Sequence, residues 1–233
     1  MQTYFATPVM LRGIPFFKDL PEELLASIAP ELHLKNCRQG TRLNPEETDE
    51  IYFIYQGVAA VYTLTKTGSR KILFFQGPGR LLSHSVMGTK PNMLFYEIME
   101  DAILLSMDRV SFSHMLGRDP RLTEALLRHY ENQLWRMGHQ LKNTAGYLPM
   151  ERKLAIKLWK LAQEFGVPVP GGTRIRFPLT VTQAADFLGA PRETVSRGLK
   201  RLSDWDLIQH HGRWFVIPSM KKLAEYCHSG TVN

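Results

Sequence analysis

The chain has 233 residues, 44% of them hydrophobic, enough for one large core or two modest ones, which excludes a disordered or fibrous protein. No window approaches the ~18 uninterrupted apolar residues of a membrane span, the start MQTYFATPVMLRG lacks an export signal's basic lead-in and apolar core, and Cys37 and Cys227 stand too far apart for a disulfide framework or a four-thiolate metal site, so a cytoplasmic protein with no membrane partner is expected. The formal charge of +7 is concentrated: residues 150 to 233 carry 13 Lys and Arg against 7 Asp and Glu, the rest 16 against 15, so the last third is the part suited to a polyanionic partner, the alternative being ordinary solvated surface.

Residues 14 to 33 predict a short helix, with Pro21, Glu22 and Glu23 as its first turn ahead of Leu24, Leu25 and Ile28. From Gly40 to Met107 the chain changes to short apolar runs separated by turn signals: IYFIYQG, VAAVYTL, the turn KTGS, KILFF, GPG and later ILLSM. This spacing predicts a small antiparallel roll or barrel. Between Asp119 and Leu148 the period becomes helical, with Leu127, Tyr130, Leu134, Met137, Leu141, Thr144 and Leu148 at alternating spacings of three and four. Such a seam fits a two-stranded coiled coil flanked by Arg128, Glu131, Arg136 and Lys142, or a helix lying on its own sheet. Pro149 stops the repeat and marks a boundary. The expected domains are 1–118, a β-rich unit; 119–149, a dimerisation helix and hinge; and 150–233.

In the last segment an amphipathic helix, MERKLAIKLWKLAQEFG, precedes a loop, VPVPGG, and a strand-like RIRF. A helix from about Leu179, a turn at Gly189, a helix to about Asp204 and two short β runs around the turn HHGR complete it. Helix-turn-helix plus hairpin is the outline of a winged helix, making the chain α+β. Thr182 is the expected cap of the first helix, and Gly189 permits the tight turn. In GAPRETVSRGLKRL, Val195, Leu199 and Leu202 form the buried stripe, leaving Arg192, Glu193, Ser196, Arg197 and Lys200 on the opposite face. Arg matches guanine O6 and N7 with two hydrogen bonds and Glu accepts from cytosine N4, so this face suits the major groove of double-stranded DNA; a solvated Arg/Glu helix is the plain alternative.

The stretch LTVTQAADFLGAPRETVSRGLKRLSDWDLIQHHGRWFVI resembles the DNA-binding signature of the CRP/FNR superfamily, the cyclic AMP receptor protein and fumarate and nitrate reduction regulators. GTRL, IYFIYQGVAAVYTL, KTGSRKILFF and GPGRLL resemble that family's β-roll, the jelly-roll type of sheet that binds cyclic nucleotides, ahead of its long dimer helix. The resemblance implies a homodimeric transcription regulator, an activator that contacts RNA polymerase and reads a TTGAT-like palindrome. It gives Glu193 and Arg197 the roles of base-reading residues, with Ser196 completing E-x-x-S-R, and places Thr180 and Thr182 where phosphate is touched.

The departures bear on what is sensed. Cyclic-nucleotide binders of that family carry Gly-Glu after the PG turn and Arg-Ser further on. This chain has Ser83-His84 at the first pair, a sequence near Asn92-Met93 at the second, and no arginine between Leu81 and Asp108. A buried phosphate would lose its bidentate partner, although Lys90 could act as a point charge, so cyclic AMP is not the expected effector. Two cysteines disfavour a four-cysteine iron-sulfur cluster. Haem is a possible cofactor through His84, Met87 or Cys37. The remaining expectation is a small organic effector between roll and dimer helix, touching Ser83, His84, Phe95, Tyr96, Tyr130 and Leu134, with Phe74 and Phe75 as further aromatic lining; those aromatics fit a plain roll core equally well. A constitutive DNA-binding protein with a degenerate sensor is the other reading. No nucleophile elbow, Walker loop, dinucleotide fingerprint or H-E-x-x-H run points to an enzyme.

Overall fold

The computed structural model describes residues 4–88, 93–144 and 148–231, without the side chains at 45, 46 and 140–144. Its contacts divide the chain into two units: residues 1–63 with 74–146, and residues 64–73 with 147–233.

The first unit opens with α1 (Pro8–Arg12), whose Met10 amide is capped by the Thr7 hydroxyl, and α2 (Glu22–Ile28), followed by a 3-10 turn at Ala29–Glu31. The helix expected over 14 to 33 is therefore shorter, because residues 14 to 20 close successive tight turns, Phe17 N–H to the Ile14 carbonyl and Leu20 N–H to that of Phe17. Then come β1 (His33–Cys37), β2 (Arg42–Leu43), α3 (Pro45–Thr48), β3 (Glu50–Leu64), β4 (Arg70–Gln76) and β5 (Phe95–Asp108). They form an antiparallel sheet in the order β1-β5-β3-β4, with β2 also on β5. The runs IYFIYQG and VAAVYTL are one strand rather than two. The signal that separated them, Gly57, is a bulge at φ +97°, where a Cβ would lie 2.5 Å from that of Ala102 on β5.

The strand β3 is buried almost continuously instead of alternating, since both of its faces are covered. On one side Phe53 meets Phe17 at 4.8 Å, Phe16 at 5.0 Å and Phe112 at 5.9 Å between ring centroids. On the other the fully buried Tyr52 donates its hydroxyl to Glu50, which also takes the Lys35 ammonium at 2.9 Å. Helix α4 (Arg109–Arg118), not expected from the sequence, is capped by Asp108 and leads into α5 (Pro120–Thr144).

The second unit begins with α6 (Met150–Phe165), β6 (Gly166–Val169) and β7 (Gly172–Ile175). The segment VPVPGG is thus largely strand, turning at Gly171 and Gly172, both at positive φ. After α7 (Val181–Leu188) and α8 (Arg192–Asp204) come β8 (Gln209–His211) and β9 (Trp214–Ile217), which complete a sheet in the order β6-β7-β9-β8. A closing helix, α9 (Met220–Ser229), packs on α6 through Leu223 and Tyr226 and had no counterpart in the sequence reading. Among the described residues, no helix is long and apolar enough to cross a membrane.

Candidate functional site

Helix α7 is capped by Thr180, not Thr182. Thr180 Oγ accepts the Gln183 amide at 3.1 Å while the Gln183 side chain takes the Thr180 backbone N–H at 2.9 Å, a reciprocal capping box. Thr182 lies inside the first turn and is exposed. The Thr-x-x-Gln spacing was the signal that decides between them. Gly189 ends α7 in the left-handed region at φ 70°, its N–H bonding the Ala185 carbonyl at 2.8 Å, and α8 departs three residues later.

In α8, Val195, Leu199 and Leu202 are buried, as their spacing requires, and Arg192, Glu193, Ser196, Arg197 and Lys200 are all exposed on the other side. Gly198 is buried against α6, but a Cβ there would meet Leu154 at an ordinary 3.5 Å. Five polar or charged side chains on one face of a helix held from behind by apolar contacts form a surface that can be presented into a groove.

Residues 64–73 contribute to this unit from far upstream. Arg70 Nε donates to Asp186 of α7 at 2.7 Å, with both side chains less than one-fifth exposed. Lys71 Nζ donates to the Phe187 carbonyl at 2.9 Å, occupying the space a Cβ on Gly189 would need. That carbonyl belongs to the last turn of α7, where helix carbonyls lack intrahelical partners and a cation is favoured. The Lys157 ammonium sits 4.1 Å from the Phe187 ring, and burial, helped by Lys71, lowers its pKa to about 8. In the wing, Gly212 turns at φ 62°, His210 stacks on Phe215 at 4.3 Å, and Arg174 lies over Trp214 at 4.8 Å.

In the first unit three of the expected sensor residues come together. His84 stacks near Tyr96 at 6.4 Å, and the Tyr130 hydroxyl donates to the His84 carbonyl at 3.3 Å. The other three stand elsewhere. Ser83 Oγ is committed to the Tyr52 amide at 3.1 Å. Phe95, adjacent to Tyr96 on a strand and so on its opposite face, stacks on Tyr62 at 5.5 Å. Leu134 is 68% exposed. Of the other lining, Phe74 faces Arg136 of α5, which was expected at the edge of the seam: the guanidinium is 5.5 Å from the ring.

Gln133 escaped the sequence reading. It is 5% exposed, and its Nε2 is 3.4 Å from His84 Nε2, the amide donating to the imidazole lone pair. Burial lowers the His84 pKa to about 4 against the opposing pull of the Leu82 backbone, and lowers that of His129 to about 4 with help from His84, Arg80 and Arg136. The missed signal was a second stripe on α5, Leu122, Leu126, His129, Gln133 and Arg136, also spaced by four and three.

The outer stripe of α5 remains open: Leu127 is 62% and Met137 45% exposed, beside Leu134 and an exposed Trp135. Contiguous apolar side chains of this kind mark an interaction surface. The side chains of Leu141 and Thr144, the second-pair position Asn92, and Lys90 lie outside the described residues.

Residues 152–226 match the Crp-like helix-turn-helix domain. The flp protein of Lacticaseibacillus casei is 26% identical over 215 residues, 91% of this chain and 95% of its own. A CRP-like cAMP-activated global transcriptional regulator of Mycobacterium tuberculosis is 26% identical over 211 residues, 89% of this chain and 94% of its own. Among solved structures, FixK2 from Bradyrhizobium japonicum superposes with a TM-score of 0.67 at 22% identity, covering 83% of this chain and 96% of that one, which establishes the likeness of fold.

Proposed function

We propose, from a chain that belongs to the CRP/FNR superfamily of transcription regulators and carries its helix-turn-helix DNA-binding domain, an effector-responsive regulator that binds a TTGAT-like palindrome as a homodimer and activates transcription through RNA polymerase. In this reading residues 1–118 sense, 119–149 dimerise and 150–233 read DNA. The observation that carries it is the exposed face of α8, Arg192, Glu193, Ser196, Arg197 and Lys200, over a buried apolar stripe. Arg197 and Glu193 read base edges; Lys200, Thr182 and the capping Thr180 lie at phosphate. The dimer closes along the outer stripe of α5, setting two α8 helices about one helical turn of DNA apart.

Fluorescence anisotropy on a labelled TTGAT palindrome tests this. Arg197→Ala is expected to cost about 1–3 kcal/mol on the palindrome and little on random DNA, while Lys200→Ala weakens both and lowers the salt slope by about one. Equal losses on both DNAs for Arg197→Ala would remove its base-reading role. Leu127→Glu with Leu134→Glu is expected to sediment as a monomer and lose the palindrome; an unmodified protein that sediments as a monomer contradicts the dimer.

On the sensing side, His84, Tyr96 and Tyr130 take part in binding a small organic effector. Binding changes DNA affinity only through unequal affinity for two dimer arrangements. A Soret band in freshly purified protein would replace that effector with haem, and operator binding unchanged by cell extract would favour the constitutive reading.

A further inference from the structure

The inner stripe of α5 is apolar at Leu122 and Leu126, where it lies on the roll core, and then becomes His129, Gln133 and Arg136. Water does not account for the change, because Gln133 is 5% exposed and its Oε1 has no hydrogen-bond partner among the described residues. Opposite, Phe74 and Gln76 share a face of β4 by the two-residue period of a strand, and Phe74 is the ring that lies against Arg136. Gln76 is fully buried, and neither its Nε2 nor its Oε1 has a partner among the described residues. A buried polar atom without a partner costs free energy, and native proteins retain few. Here three fall on two amides, one on the inner stripe of α5 and one on the strand face that by its two-residue period also carries Phe74.

We propose that this nest binds a small, uncharged, planar ligand bearing an amide-type edge, an N–H donor beside a C=O acceptor, as in a lactam or carboxamide. The proposal rests on the effector reading above and assigns its chemical class. Two of the three open atoms, Gln76 Oε1 and Gln133 Oε1, are acceptors and require N–H groups from the ligand. A carboxylate or phosphate has no N–H to give to these two acceptors, whatever it gains from Arg136. Of the amide atoms Gln76 Nε2 is the open donor and takes the ligand's carbonyl, and His84 Nδ1, buried and also open among the described residues, is a second N–H. The His84 lone pair is already occupied by Gln133 Nε2, so that nitrogen orients the amide instead of competing for the ligand's N–H groups. Arg136 on Phe74 and Tyr96 beside His84 offer flat surfaces to a planar ring.

Matched probes test the class on the full-length protein: nicotinamide and 2-pyridone against nicotinate and benzoate, followed by calorimetry and thermal melting. The neutral pair is expected to bind, raising Tm by about 3–5 °C at a tenfold excess over Kd, and the anionic pair to leave Tm unchanged. Gln76→Leu is expected to raise the Tm of the unliganded protein, because it removes two open polar atoms, and to abolish the response to nicotinamide; Gln133→Met should abolish the response as well. A response to nicotinate equal to or above that to nicotinamide, no response to either neutral probe, or a Gln76→Leu protein that melts lower than its parent overturns the proposal. Operator anisotropy without any probe separates the two readings: failure there contradicts the DNA-binding regulator, whereas failure of the neutral probes with operator binding intact contradicts only the ligand class.

Discussion

In α8 the inward face is Val195, Leu199 and Leu202 and the charged side chains meet water, whereas in α5 the inward face passes from Leu122 and Leu126 to His129, Gln133 and Arg136 while leucine and methionine face out. The first helix keeps its apolar side chains inside and its charges outside along its whole length. The second exchanges them over its later turns, placing polar groups inside and an apolar stripe outside. Substitutions inside α8 should therefore damage folding without any ligand, and substitutions inside the polar part of α5 should alter the response to ligand or proton more than the fold.

The largest effect expected from this contrast is that of Leu199→Asp, which places an unpaired carboxylate in the buried apolar stripe of α8 and should cost at least about 3 kcal/mol. Urea denaturation followed by circular dichroism measures it, with Arg192→Ala within about 0.5 kcal/mol of the parent as its exposed control. Equal effects for the two would mean that the buried face of α8 is misassigned.

A second, intermediate effect belongs to α5 and depends on pH. His84 and His129 have folded pKa values lowered to about 4, against about 6.5 for an unperturbed histidine. The unfolded chain then binds more protons between those values, so the stability from keeping both rings neutral is complete above about pH 6.5 and is lost as pH falls towards 4. Tm is expected to fall by several degrees between pH 7 and pH 5, and His129→Leu should flatten that slope. A slope identical in parent and variant would show that His129 does not titrate as its burial implies.

The smallest effect separates two neighbouring threonines. Thr180→Ala removes the α7 cap and should cost about 1 kcal/mol, while Thr182→Ala should change stability by less than about 0.5 kcal/mol. Chemical denaturation of the pair distinguishes them, and the reverse order would return the cap to Thr182.

The same contrast explains what was legible beforehand. The reader helix is one continuous run whose burial is set by its own period, so Val195, Leu199, Leu202 and the outward charges followed from spacing alone. The cluster of His84, Tyr96, Tyr130 and Gln133 is drawn from a loop, β5 and α5, and no local period connects these residues or relates Gln76 to Gln133. Phe95 and Tyr96 cannot line one cavity together, because adjacent strand residues point to opposite faces. Gly57 read as a strand break because a bulge and a turn require the same positive φ, and α4 and α9 went unseen because neither carries a long repeat. The Thr180-x-x-Gln183 box and the polar inner stripe of α5 are both legible in the sequence as spacings.

One feature of the second unit bears on synthesis. The partners of Asp186 and of the Phe187 carbonyl, Arg70 and Lys71, leave the ribosome long before the helix they hold. A nascent winged helix therefore completes itself around a segment already made, and a fragment beginning at residue 150 emerges with a carboxylate and a helix-end carbonyl that have lost their cations. Dissection of this protein at its most obvious boundary, Pro149, would isolate α7 and α8 without two of the contacts that hold the end of α7, and the excised piece should melt below the same unit in the intact chain.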